Sequence, residues 1–204
     1  MAQIKPTRQE FLKLKKKVKT ASRGHRLLKD KRDGLIQKFL AIVKDALTLR
    51  KEIDESLVKA IELFRYAEAK TSDQYLASIA EQSEAQIRIA LETANFMGVH
   101  VPNLEFEVSG DPFNYGVLNT PKDLDQSLVT LHQLLPKLVK LAELEYTARK
   151  LAEEIEKTRR RVNALEHVII PEMKDDMGYI KGVLEERSRQ EKVTIMKVKE
   201  LLGL

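Results

Sequence analysis

Apolar positions recur in alternating steps of three and four along the first third of the chain: Phe11, Leu14, Val18, Ala21, His25, Leu28, Arg32, Leu35, Phe39, Ile42, Ala46, Leu49, Ile53, Ser56, Ala60, Leu63 and Ala67. Fourteen of these seventeen positions are apolar, and only a 3.5-residue repeat keeps one line of side chains facing a partner helix over such a length. The pattern predicts a single long helix. Thr7 and Glu10 form a capping box at its start, the Thr hydroxyl accepting from the third amide and the Glu reaching back. The helix should end between Lys70 and Asp73, about 95 Å further on at ~1.5 Å per residue.

A second long helix is announced by Thr120 as N-cap, Pro121 at the first helical position and Asp123 in the first turn. Its seam reads Leu124, Leu128, Leu131, Leu135 and Leu138. After a shift of phase it continues through Leu141, Leu144, Ala148, Leu151, Ile155, Thr158, Val162, Leu165 and Ile169, then Met173, Met177, Ile180 and Leu184. The four-residue steps beyond Ile169 read as stutters that unwind a left-handed supercoil. Pro136 and Pro171 should bend this helix without ending it, because the pattern resumes beyond each. Gly203 marks its end.

The stretch between the helices has another texture. Gln74–Ala80 reads as a short helix, Ile87–Leu91 alternates with period two as a strand does, and Val99–Val108 is its candidate partner. Pro102 places the second strand at an edge or makes it start late. The run from Asp111 to Gly116 is turn-rich loop. The fold class expected is all-α: a long antiparallel two-helix coiled coil with a small insert, short helix and β-hairpin, at the end away from the termini. Its parts are residues 1–72, 73–120 and 121–204.

Composition sharpens this picture. Charged residues make up 33 % of the 204, aromatics 5 %, and Trp is absent, which suits a thin, long core. No cysteine is present, so disulfides and thiolate chemistry are excluded, in keeping with a reducing compartment. The basic N-terminal stretch is unlike a secretory signal, and no apolar run approaches the ~20 residues that span a bilayer. The net charge of +5 conceals an asymmetry: residues 1–38 carry thirteen Lys/Arg against three Asp/Glu, and residues 73–121 carry one against seven.

Little in the chain resembles a catalytic centre. His25, His100, His132 and His167 are scattered, with no metal-ligand spacing, and no glycine is followed by the Gly-Lys-Ser/Thr of a phosphate loop. No catalytic residue, metal or cofactor is therefore expected. Glu153–Glu154 and Asp175–Asp176 are neighbours on helices and point in different directions, as solvated faces do. The strongest charge feature is Lys13, Lys15, Lys16, Lys17 and Lys19 with Arg23 and Arg26. A solvated flank, nucleic-acid binding and docking into an acidic protein cavity are the readings it allows, and missing aromatics weigh against nucleic acid.

Particular strings then become informative. Thr7-Arg8, Leu12-Lys13-Leu14-Lys15-Lys16 and Arg23-Gly24-His25-Arg26-Leu27-Leu28-Lys29-Asp30-Lys31-Arg32-Asp33 resemble the N-terminal helix of the D subunit of V-type and archaeal-type rotary ATPases. Leu134-Leu135-Pro136-Lys137-Leu138-Val139-Lys140-Leu141 and the run from Glu153 to Glu166 resemble its C-terminal helix. The resemblance implies a non-catalytic central rotor shaft that couples ATP hydrolysis or synthesis in a hexamer of A and B subunits to H⁺ or Na⁺ translocation by a membrane ring. It implies a peripheral place at the cytoplasmic face of the membrane, without insertion into it. On that footing Lys13, Lys15, Lys16, Lys17, Arg23, Arg26, Arg159, Arg160 and Arg161 are hexamer-contact candidates, the last three being equally candidates for cross-helix pairing. Ile87, Ile89, Leu91, Val99 and Val101 are candidates for contact with the F subunit or the connector subunit (C/d type) of the ring. The competing reading is a basic coiled-coil protein that binds nucleic acid or an anionic membrane.

Overall fold

The computed structural model describes residues 5–82, 86–110, 113 and 120–202. Helix α1 runs Arg8–Lys70, α2 Asp73–Gln82, β1 Gln86–Phe96, β2 Val99–Ser109, and α3 Lys122–Ala164. A π-helical turn, Leu165–Ile169, joins α3 to α4, Ile170–Leu202. The expected fold class holds: two long helices pack on each other, and an antiparallel hairpin lies between them in sequence. The loop expected from Asp111 to Gly116, apart from Phe113, and the helix end at Gly203 lie outside the described residues. By packing, the chain divides into a first unit, residues 1–34 and 155–204, and a second, residues 35–154.

In the second unit the predicted seam of α1 is fully realised. Leu35, Ile42, Ile53, Ala60 and Ala67 are buried, and Phe39, Ala46, Leu49, Ser56 and Leu63 between them are half-buried. On α3 the seam differs from the expectation. Leu124, Ser127 and Leu134 are buried, whereas Leu128 and Leu135 are half-buried and Leu131 is 39 % exposed. The 3,4 line therefore passes through Ser127 and reaches Leu141 without a shift of phase. A serine is tolerated there because its hydroxyl donates to the Ala60 carbonyl at 2.9 Å, which satisfies a buried polar group. Leu128 instead joins a small satellite core in which Tyr75, Leu76 and Ile79 of α2 meet Ala67 and Leu124. Lys70 closes this end of α1 with an ion pair to Asp123.

The two strands are longer than expected, and their register is regular from Gln86↔Ser109 to Phe96↔Val99. The turn is two residues, Met97 (φ 51°) and Gly98 (φ 85°), both left-handed as a type I′ hairpin requires. The Asn95 side chain accepts from the Gly98 amide at 2.9 Å and holds it. Pro102 sits inside β2 without harm. Neighbouring even-numbered positions point their amides away from β1, since the Leu104 N–H leaves the ladder to reach the Glu143 carboxylate of α3 at 3.3 Å. A missing donor at Pro102 therefore removes no ladder bond.

The first unit has a looser seam. Phe11, Leu14, Val18, Ala21, His25, Leu28 and Arg32 are all half-buried, and full burial is reached at Thr158, Val162 and Ile180. At the start of α1 Thr7 Oγ1 accepts from the Glu10 amide at 3.3 Å. Glu10 turns to Lys13 at 3.0 Å, so the capping box forms in one direction only. The π turn replaces the expected stutters. Its wider winding, closed by the Ile170 N–H on the Leu165 carbonyl, inserts one residue into the repeat. Beyond it the seam is Ile170, Met173, Met177, Ile180 and Leu184, one position later than an unbroken 3,4 pattern, while Ile169 is 38 % exposed. The turn precedes Pro171, whose ring would press on the carbonyl four residues back in a normal α-helix. Pro136 is carried inside α3 with the helix continuous.

Candidate functional site

The hexamer-contact candidates all fall in the first unit, as exposed groups. Lys13, Lys15, Lys16, Lys17, Arg23 and Arg26 lie on α1, and Arg159, Arg160 and Arg161 on the last turns of α3. Arg160 pairs with Glu156 one turn back along its own helix, with both side chains exposed. Residues 1–34 and 155–204 together carry 23 Lys/Arg against 12 Asp/Glu, whereas residues 35–154 carry 13 against 19. The charge segregates by packing unit, +11 against −6. Exposed pairs such as Lys13–Glu10 offset little of the cationic field.

The seam beneath these cations is itself polar. His25 Nε2 lies 3.3 Å from Glu166 Oε2, which reaches out of the π turn, and Arg32 donates from Nε and Nη2 to Asp33 Oδ1 at 2.9 and 2.7 Å. Val168 and Ile169 face outward from the π turn, 59 % and 38 % exposed. This surface offers charge and a few apolar points.

The candidates on the hairpin are divided by its register. Ile87, Ile89 and Leu91 stand opposite Val108, Phe106 and Leu104, so these six share one face. On that face β2 is half-buried, and β1 is about half or more exposed at Ile87, Ile89 and Leu91. Val99 and Val101, opposite Phe96 and Ala94, belong to the other face, and Val99 is buried. The five therefore do not form one surface. Glu143 holds β2 down: its side chain is 12 % exposed and also takes Lys140 Nζ at 2.6 Å. Lys38 Nζ lies 5.7 Å from the centre of the Phe96 ring beside the turn, a cation–π contact.

Sequence reasoning missed a further surface. Val58, Ile61 and Phe64 on α1 are 55, 49 and 41 % exposed, with Leu57 half-buried beside them, an apolar stripe next to the seam. Its signal was the i, i+3, i+6 spacing just outside the 3,4 line, masked by the stronger repeat. A shallow groove lined by Val43, Ala46, Leu47, Arg50, Glu145 and Ala148 carries one ion pair, Arg50–Glu145 at 3.4 Å. Among the described residues, no group of three or more His, Cys, Asp or Glu is arranged to hold a metal ion, and no helix is long and apolar enough to cross a membrane.

The described residues thus form two long packed helices with segregated charge and exposed apolar side chains on α1 and on the hairpin. The chain belongs to the family of ATP synthase D subunits, whose family model matches residues 10–200. It is 43 % identical to the V-type ATP synthase D subunit of Thermoanaerobacter sp. (strain X514), over 99 % of this chain and 98 % of that relative. The V-type ATP synthase D subunit of Clostridium novyi (strain NT) is 40 % identical over 98 % of this chain and 94 % of its own length. The A-type ATP synthase D subunit of Thermococcus sibiricus shows the same identity and coverage.

Proposed function

We propose that this chain is the central-stalk rotor component of a V/A-type rotary ATPase, a non-catalytic part that couples nucleotide turnover in an A/B hexamer to H⁺ or Na⁺ movement through a membrane ring. The observation that carries the reading is the cationic first unit, +11 over its residues, in a chain that matches the family along nearly its whole length. Lys13, Lys15, Lys16, Lys17, Arg23, Arg26, Arg159, Arg160 and Arg161 are the groups that would meet the hexamer. Long-range charge attraction with weak steric demand suits a part that must be accepted in several orientations in turn. Coupling then requires each orientation to bind the nucleotide states of the hexamer differently.

On this reading the second unit carries the F subunit and faces the connector subunit of the ring. The exposed stripe Val58, Ile61 and Phe64 and the open half of the hairpin face at Ile87, Ile89 and Leu91 are the docking surfaces. The chain works at the cytoplasmic side of the membrane, held there by its partners. The division into residues 1–72, 73–120 and 121–204 is one of roles: two shaft helices and a docking insert.

The test is reconstitution of the complex with Lys13, Lys15, Lys16 and Lys17 replaced by Glu, scored by ATP-driven ion pumping. Loss of pumping, with the variant still helical, is the expected result; undiminished pumping overturns the reading. A salt titration of the isolated chain against duplex DNA and anionic vesicles examines the competing one, which expects tight binding that weakens steeply with salt.

A further inference from the structure

Strand β1 has one edge paired to β2 and, among the described residues, one edge open. The open edge can be identified residue by residue. The Leu104 N–H is spent on Glu143, so the Leu91–Leu104 pair exchanges no ladder bonds, and in an antiparallel ladder such pairs alternate with bonded ones. Thr93 opposite Pro102 falls in the same class, as it must with no N–H on the proline. The N–H and C=O groups of Ile87, Ile89, Leu91 and Thr93 therefore point away from β2. Every residue from Gln86 to Asn95 is exposed. A long exposed edge carrying apolar side chains is an acceptor for another strand unless something covers it.

The sequence of this edge is complementary to itself. In an antiparallel pairing of β1 with a second β1 centred on Ala90, Ile89 stands opposite Leu91, Ile87 opposite Thr93, and Arg88 opposite Glu92, each contact occurring twice. The outward backbone groups of Ile87, Ile89, Leu91 and Thr93 meet those of Thr93, Leu91, Ile89 and Ile87, so the bonding alternation of the two strands agrees. Arg88 and Glu92 share the polar face of the hairpin, and Ile89 and Leu91 its apolar face. Moving the centre to Ile89 or Leu91 separates the Arg–Glu pairs, and moving it to Arg88 or Glu92 sets like charges against each other, which is destabilising.

We propose that the open edge of β1 is a self-recognition surface: two copies of the chain join there in a two-fold, four-stranded antiparallel sheet centred on Ala90. The contact is isologous, each copy giving and receiving the same residues. It concerns the chain on its own and does not depend on the rotor reading, so the two can fail separately.

The experiment is the molar mass of the full chain by light scattering across a wide range of concentrations. The expected result is a rise from the 23.4 kDa of one chain towards twice that mass. Arg88→Glu alone, or Glu92→Arg alone, sets like charges opposite each other twice and should weaken the dimer about tenfold or more. Mixing these two variants, or combining both changes in one chain, restores opposite charges and should restore the dimer. Ala90→Cys, in a chain with no other cysteine, should cross-link to a dimer under mild oxidation, since a non-bonded antiparallel pair brings its Cα atoms to ~4.5 Å. A chain that stays monomeric throughout overturns the proposal. So does a dimer insensitive to the single charge reversals, or one that Ala90→Cys does not cross-link. Circular dichroism establishes that each variant is folded, and cross-linking of the cysteine variant decides the matter if a charge variant fails to fold.

Discussion

The two packing units solve the same problem, holding two helices together, in opposite ways. Along α1 in the second unit the seam buries Leu35, Ile42, Ile53, Ala60 and Ala67, and α2 and the hairpin add apolar cover on a surface of net charge −6. In the first unit no α1 residue is fully buried, His25 and Arg32 occupy seam positions, the partner helix winds through a π turn, and the net charge is +11. One unit is built for cohesion. The other trades cohesion for charge, and π turns tend to fall where a helix does something besides pack. On the rotor reading proposed above, the unit with the least apolar glue is the one that would meet the hexamer.

The sharpest way to break this contrast is to truncate equivalent seam residues in each unit. Ile53→Ala removes a side chain that is 2 % exposed, and a cavity of that kind costs about 2–5 kcal/mol. Leu28→Ala removes one that is only half-buried and should cost roughly 1 kcal/mol at ~25 cal/mol per Å² of lost burial. Urea unfolding followed at the helical dichroism band measures both. Equal losses would mean that the units are equally cohesive and that the polar seam has been misread.

How much of this was legible beforehand depends on what each residue type signals. All seventeen seam positions assigned to α1 are buried or half-buried, because a strict 3,4 repeat leaves a helix one face to bury. The α3 seam was displaced at Ser127 and Leu134 because leucines are dense there: Leu128 and Leu135 offered apolar positions beside the true ones, and a serine does not advertise burial. A one-residue π insertion and a four-residue stutter produce the same spacing of apolar letters after Ile169, so only the backbone distinguishes them. The strands were visible through their alternation, but the Met97-Gly98 turn was not, since methionine rarely takes a positive φ. Of the interaction candidates, the cations were legible as charge. The split of Ile87, Ile89 and Leu91 from Val99 and Val101 required the register.

A second test asks whether the cohesion of the second unit extends to its hairpin. Glu143→Ala removes the acceptor of the Leu104 amide and the partner of Lys140. Hydrogen bonds to a charged group are worth about 1.5–3 kcal/mol where they are shielded, so β2 should lift from α3. Hydrogen exchange at Leu104 should then accelerate, while the coiled coil, whose seam Glu143 does not enter, should lose less than ~1 kcal/mol. Unchanged protection at Leu104 would show that apolar contacts at Phe106 and Val108 hold the hairpin unaided.

The smallest effect is expected at the polar contact across the first unit. His25 and Glu166 meet at 3.3 Å, but Glu166 is 51 % exposed, and an exposed pair of this kind contributes about 0–1 kcal/mol. A double-mutant cycle with His25→Ala and Glu166→Ala should therefore give a coupling below ~0.5 kcal/mol, read from unfolding free energies. A coupling several times larger would make the pair a structural lock on the π turn and would remove the contrast between the units. A small one leaves His25 and Glu166 as groups that the fold places in the seam without depending on them. On the proposed rotor reading, ion pumping by the reconstituted His25→Ala complex then asks whether His25 takes part in coupling: unimpaired pumping would leave that role to other groups, the exposed lysines and arginines of α1 and α3 proposed above among them.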